Sequence, residues 1–103
     1  MRGEVWLCAL PTAGPHPVVV LTVNRIAAPL SAITVALVTG SAGPATTHVA
    51  IGRDAGVSKY PESYVNCTDL HSVGKPRLRR RLGRLAPVEL RGVEHAIRTV
   101  LGL

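Results

Sequence analysis

At 103 residues the chain has room for one domain and one core, and 47% hydrophobic against 17% charged residues excludes a disordered chain. Phe is absent and aromatic residues make up only 3%, so aliphatic side chains must fill the interior. A net charge of +6 and a pI near 10.4 favour a polyanionic partner such as RNA, DNA or an acidic protein tail.

Glu4–Leu10 is the first expected strand, ended by Pro11, and Pro17–Val23 the second, opened by a proline that a strand tolerates at its first residue. Ile33–Thr39 is a third strand, nearly continuous in apolar character as a buried strand is. Gly40-Ser41-Ala42-Gly43-Pro44 marks a loop, Thr46–Ile51 a fourth strand, and Gly52–Glu62 a polar loop. Ser63–Cys67 reads as a short fifth strand and Arg79–Leu85 as a sixth, preceded by one helical turn that Pro76 could start. The last segment is the one long helix. Pro87 suits its first turn, Leu90, Val93, Ile97, Val100 and Leu101 recur on one face, and Gly102 terminates it. Glu94 and Arg98 stand in the favourable i,i+4 order. Strands in sequence followed by a terminal helix give an α+β domain: a small, curved antiparallel sheet or partial barrel of about six strands with a C-terminal amphipathic helix.

Val5 to Leu10 is too short for the apolar core of a signal segment, and Ile26 to Val38, broken by Pro29 and Ser31, falls short of the ~20 residues that span a bilayer. Cys8 and Cys67 lie 59 positions apart without a CxxC spacing, so buried, reduced thiols in a cytoplasmic protein are expected rather than a disulfide framework. His48, His71 and His95 have no metal-ligand spacing among themselves or with the cysteines, so neither a metal nor another cofactor is expected.

Several motifs resemble, in order and spacing, the MazF/PemK family of toxin endoribonucleases. Arg2-Gly3-Glu4-Val5-Trp6 matches its opening strand, Pro17-Val18-Val19-Val20-Leu21 followed by Asn24-Arg25 its second strand and turn, and Val35-Ala36-Leu37-Val38-Thr39 its third. Thr47-His48-Val49 fits the fourth, Ser63 to Val73 the following strand with its polar pair, and Leu82-Gly83-Arg84-Leu85 with the last helix the closing pattern. The resemblance implies an SH3-like barrel, a homodimer, and metal-independent cleavage of single-stranded RNA, often within a short sequence motif. It also implies inhibition by a cognate antitoxin with an acidic C-terminal segment. The RNA's own 2′-hydroxyl would attack, leaving a 2′,3′-cyclic phosphate and a 5′-hydroxyl. Such chemistry needs a base, an acid and cationic support for the phosphate.

The family usually places an arginine before the proline of the second strand and a hydroxyl at the end of the third; here these positions are His16 and Thr39. Flanking prolines hold His16 extended, and an imidazole can give or take a proton near neutral pH, although it is a poorer permanent cation than arginine. Arg25 and the arginines near Leu78 are then the candidates for phosphate stabilisation, with Ser41 beside Thr39. The first loop, Thr12 to His16, is shorter than is usual in the family. Lys75, Arg77, Arg79, Arg80, Arg81 and Arg84 supply half of the twelve basic side chains within ten residues, and Lys75, Arg79 and Arg81 are expected to contact RNA. Strict alternation would put Arg79 and Arg81 on one face and Arg80 on the other. Trp6 and Tyr64 could stack on bases, with a core role favoured for Trp6.

Two other functions fit the same motif order: a non-enzymatic inhibitor of the topoisomerase-poison type, and a toxin that has lost catalysis and still binds its antitoxin. His16, Thr39 and the basic run separate these readings, because an RNA-cleaving site needs them and a pure protein-binding inhibitor does not.

Overall fold

The computed structural model describes residues 1–11 and 14–103. Its strands are β1 Glu4–Leu10, β2 Gly14–Val20, β3 Ala32–Thr39, β4 His48–Ile51, β5 Ser63–Gly74 and β6 Leu78–Arg84. They form one antiparallel sheet in the order β4-β5-β3-β2-β1-β6, left open with β4 and β6 at its edges. A four-residue helix, α1 Asn24–Ala27, follows β2, and the long helix, α2 Pro87–Leu101, closes the chain. The α+β class, the number of strands and the terminal helix are those expected from the sequence. None of the described helices is long and apolar enough to cross a membrane.

Alternation along the strands separates two cores. Val5, Val19, Ala36, Val38, Val65 and Cys67 meet Val93 and Ala96 of α2 on one face, all nearly or fully buried. Cys8, Val18, Val20, Ile33, Val35 and Val73 form the second core on the other face, joined by Ala27 of α1. A 3₁₀ turn at Lys75–Arg77, which bonds back to Ser31 and Ala9, lies near that face. The two cysteines are buried and free, and their membership of opposite cores keeps them from pairing.

Boundaries moved where the pattern was interrupted. β5 runs on to Gly74 rather than ending at Cys67, because a register shift opposite Ala36 and Leu37 absorbs the polar Thr68-Asp69 pair and pairing then resumes. β2 begins at Gly14 and stops at Val20, ahead of the unforeseen α1. The shortened first loop falls partly on Thr12 and Ala13, outside the described residues. Glu94 pairs with Arg2 rather than Arg98, tying the start of the chain to α2. Gly102 ends α2 in the left-handed conformation (φ 71°), with its N–H donated to the Arg98 carbonyl.

Two features fix the segment between β4 and β5. Glu89, in the first turn of α2, accepts the Ala86 N–H through Oε1 at 2.7 Å and the Gly52 N–H through Oε2 at 2.6 Å. A second 3₁₀ turn, Arg53–Ala55, lies against β6 so closely that a Cβ on Gly56 would stand 2.0 Å from the Leu82 carbonyl oxygen. A Cβ on Gly83 would stand 2.2 Å from that of Asp54. Only glycines allow these backbones to meet.

Candidate active site

His16 sits near the start of β2, half-buried, on the face of the second core. β2 and β3 pair Val20 with Val35 and Val18 with Leu37, where the ladder ends; beyond it the His16 side chain reaches the carbonyl of Val38, the residue before Thr39. β5 places Tyr64 opposite Thr39 on the other side. His16, Thr39 and Tyr64 thus form a row across three strands at one end of the sheet.

The polar geometry of this row is specific. His16 Nε2 lies 2.9 Å from the Val38 carbonyl oxygen. A carbonyl can only accept, so Nε2 carries the hydrogen, and Nδ1 is left as the nitrogen that binds or releases a proton. Thr39 Oγ1 accepts the Ser41 N–H at 3.1 Å, which leaves its own O–H free to donate to a ligand. Tyr64 donates its hydroxyl to Glu62 at 2.9 Å, and this bond raises its pKa, so the ring remains a neutral platform. Trp6 is half-buried against the second core, with Nε1 donating to Glu4, so its role is mainly packing.

The expected site residues are not all gathered here. His16, Thr39 and Ser41 come together. Arg25 lies in α1 and Lys75 bonds the Ala28 carbonyl at 3.2 Å, both beyond the opposite end of β2 and β3. Four residues separate His16 from Val20, about 13 Å along a strand, so Arg25 and Lys75 lie beyond direct reach of His16. On β6, Arg81 gives its Nε to Glu4 at 3.1 Å, which engages part of its charge. Simple alternation fails along β6. Register shifts opposite Leu7/Cys8 and Val5/Trp6 leave Arg79 and Leu82 as extra residues, while Arg80 pairs with Leu7 and Arg81 with Trp6.

Arg77 is the basic residue that sequence spacing undervalued. From the Lys75–Arg77 turn its guanidinium reaches the Ala9 carbonyl at 3.5 Å. Ala9 pairs with Pro15, the rung next to Cys8 and His16. The charges of Arg77 and Arg79 also work against the burial that raises the Cys8 pKa, which places both cations near that rung. Only the turn, which no periodicity announces, delivers Arg77 there. Two of the other three histidines have partners of their own: His71 pairs with Asp69 at 2.7 Å and His48 bonds Thr47 at 2.8 Å, while His95 lies on α2.

An antiparallel sheet of this order with a terminal helix has counterparts among known toxins. Residues 1–101 match the family described as PemK-like, MazF-like toxin of type II toxin-antitoxin system, and the chain belongs to that family. It is 29% identical over 102 residues to the probable endoribonuclease MazF2 of Mycobacterium tuberculosis (strain CDC 1551 / Oshkosh), across 98% of this chain and 97% of that protein. Against the probable endoribonuclease MazF5 of Mycobacterium tuberculosis (strain ATCC 25618 / H37Rv) it is 34% identical over 93 residues, across 89% and 84%. Among solved structures it is similar to an endoribonuclease in complex with its cognate antitoxin from a Mycobacterial species, with a TM-score of 0.86, 26% identity and coverage of 100% and 95%.

Proposed function

We propose that this chain is the toxin of a type II toxin–antitoxin pair and cleaves single-stranded RNA without a metal, within a short sequence motif. His16 Nδ1 serves as the proton-transfer group. In its neutral form it takes the proton of the attacking 2′-hydroxyl; as imidazolium it returns one to the departing 5′-oxygen. The Thr39 hydroxyl donates to a non-bridging phosphate oxygen, and Arg77 supplies the cation that the family's usual arginine would have provided. The bonds balance: O2′–P forms, P–O5′ breaks, and the products are a 2′,3′-cyclic phosphate and a 5′-hydroxyl.

One observation carries the reading: the 2.9 Å contact of His16 Nε2 with the carbonyl of Val38, the residue before Thr39, which supports Nδ1 as the nitrogen open to substrate. The names of the relatives and the net charge of +6 support RNA as the polyanion. The solved relative in complex with its cognate antitoxin supports an antitoxin as partner, and an acidic antitoxin segment is the inhibitor we expect here. The two buried free thiols support a cytoplasmic location. We further propose a homodimer, because Val23, Ile26 and Leu30 around α1 are each exposed by 38% or more and form an apolar patch.

The test is cleavage of a long single-stranded RNA in EDTA, with end-group analysis of the products. His16→Ala is expected to lose on the order of 10²–10⁴-fold in rate. His16→Arg should retain activity while flattening the acidic limb of the pH profile. Full activity in His16→Ala would refute the assignment. An inert wild type that still binds an antitoxin peptide would favour the non-catalytic toxin.

A further inference from the structure

A pocket of about 220 Å³ opens on the sheet face opposite His16 and is lined by Leu7, Pro17, Ser58, Lys59, Arg80 and Arg81, among others. A single cross-strand row builds its floor, since Pro17 pairs with Leu7 and Leu7 with Arg80. The wall is the segment after Gly56, held against β6 by the close approach of Gly56 and Gly83. Lys59 and Arg80, 21 positions apart in sequence, converge on this pocket, and no carboxylate lines it. Arg81 is paired with Glu4, whereas among the described residues neither Lys59 nor Arg80 has an acidic partner. Both side chains are exposed at the pocket mouth.

The pocket is connected to the catalytic row. The Tyr60 ring packs on Gly40, the residue after Thr39, so tightly that a Cβ there would fall 2.5 Å from a ring carbon. Lys59 Nζ lies 5.5 Å from the centre of the same ring. Thr39 is thus followed by Gly40 under the Tyr60 ring, and the ring by Lys59, which with Arg80 lines the pocket above its apolar floor. That order matches a nucleic-acid strand, in which a stacking base and a charged phosphodiester alternate with an apolar sugar edge. The volume is below the roughly 300–1,000 Å³ of sites for whole small ligands, and suits one phosphate with its sugar.

We propose that this pocket is a subsite for a phosphodiester of the RNA strand flanking the scissile bond, held by Lys59 and Arg80 with its sugar against Leu7 and Pro17. The proposal rests on the ribonuclease reading, and its test separates the two. ¹⁵N-labelled protein is titrated with a single-stranded RNA 12-mer in which every 2′-hydroxyl is methylated, so that binding occurs without cleavage. Shifts are expected at the amides of Gly56 and Ser58 as well as at His16 and Thr39. In the Lys59→Ala/Arg80→Ala variant, affinity should fall on the order of tenfold and the log–log salt slope by about 1.4, the loss of two phosphate contacts on a single strand. A thermal melt of the variant that overlays the wild type shows that the fold is intact. Shifts confined to His16 and Thr39, with variant affinity unchanged, would overturn the subsite and leave the ribonuclease reading standing. Shifts confined to the pocket would retain the phosphodiester site and count against that reading. Tighter binding of a polyglutamate peptide than of the RNA at the pocket would overturn the proposal in favour of a protein ligand.

Discussion

Replacing Gly56 by alanine tests the backbone junction that positions the pocket wall. Two costs add at this position. The residue has φ +73°, where a side chain costs roughly 1 kcal/mol relative to glycine. The new Cβ would also stand 2.0 Å from the Leu82 carbonyl oxygen, so one of two backbones must move by more than an ångström. Overpacking of that kind costs roughly 1–3 kcal/mol. The expected loss is about 2–4 kcal/mol, a large part of the roughly 5–15 kcal/mol that stabilises a domain. Gly14 provides the control: its φ is +66° but among the described residues nothing lies within 4 Å of where a Cβ would stand, so Gly14→Ala should lose only about 1 kcal/mol. Gly83→Ala strikes the same junction from the other side, and the Gly56→Ala/Gly83→Ala double variant should lose less than the sum of the two. Urea unfolding of the four variants measures these differences directly. A Gly56→Ala loss no larger than that of Gly14→Ala would refute the close packing of the Arg53–Ala55 turn on β6.

Glu89→Gln should lose about 1–2 kcal/mol in the same assay, because the carboxylate caps α2 and holds Gly52; an unchanged midpoint would show that water replaces both bonds. Arg77→Ala should slow RNA cleavage more than Arg25→Ala, since only Arg77 reaches the rung beside His16, and equal effects would contradict that placement. Burial pushes the Cys67 thiol up to about 11 from its ordinary value of 9.0. Between those values the unfolded chain releases this proton and the folded chain keeps it, so stability falls as pH rises from 9 to 11, by up to about 2–3 kcal/mol. Cys67→Ala should flatten that fall, which thermal melts across the range would detect.

The elements that could be read from sequence were those with one clear period. β1 and β3 are apolar runs between Gly and Pro signals, and α2 carries a proline start, a 3.6-residue stripe and a glycine stop. What stayed hidden was irregular. α1 has four residues and no side-chain cap, and the second half of β5 lies beyond a polar interruption that the sheet absorbs by shifting register. The candidate site divides in the same way. His16 and Thr39 entered as candidates through their match in position to the family's motif, with prolines on both sides of His16 as added support. The neighbours of Arg77 and Arg80 were not, since a 3₁₀ turn places one and two register shifts in β6 set the facing of the other. Lys59 and Arg80 line one pocket because the segment after Gly56 is held against β6 by close backbone contact at Gly56 and Gly83, and such contact leaves no trace in hydrophobic periodicity.

The arginines of β6 have a consequence apart from any ligand. β6 is an edge of an open sheet, with one side of its backbone unpaired, and such an edge is a template on which a further strand can grow. Here it carries four arginines in seven residues and is kinked at two places by extra residues. A second copy approaching strand to strand would bring like charges together along a bent line. The opposite edge, β4, has four residues and offers little length for pairing. The sheet is thus guarded against fibrous growth at both margins, and neutralising β6 wholesale would remove that protection along with the charge.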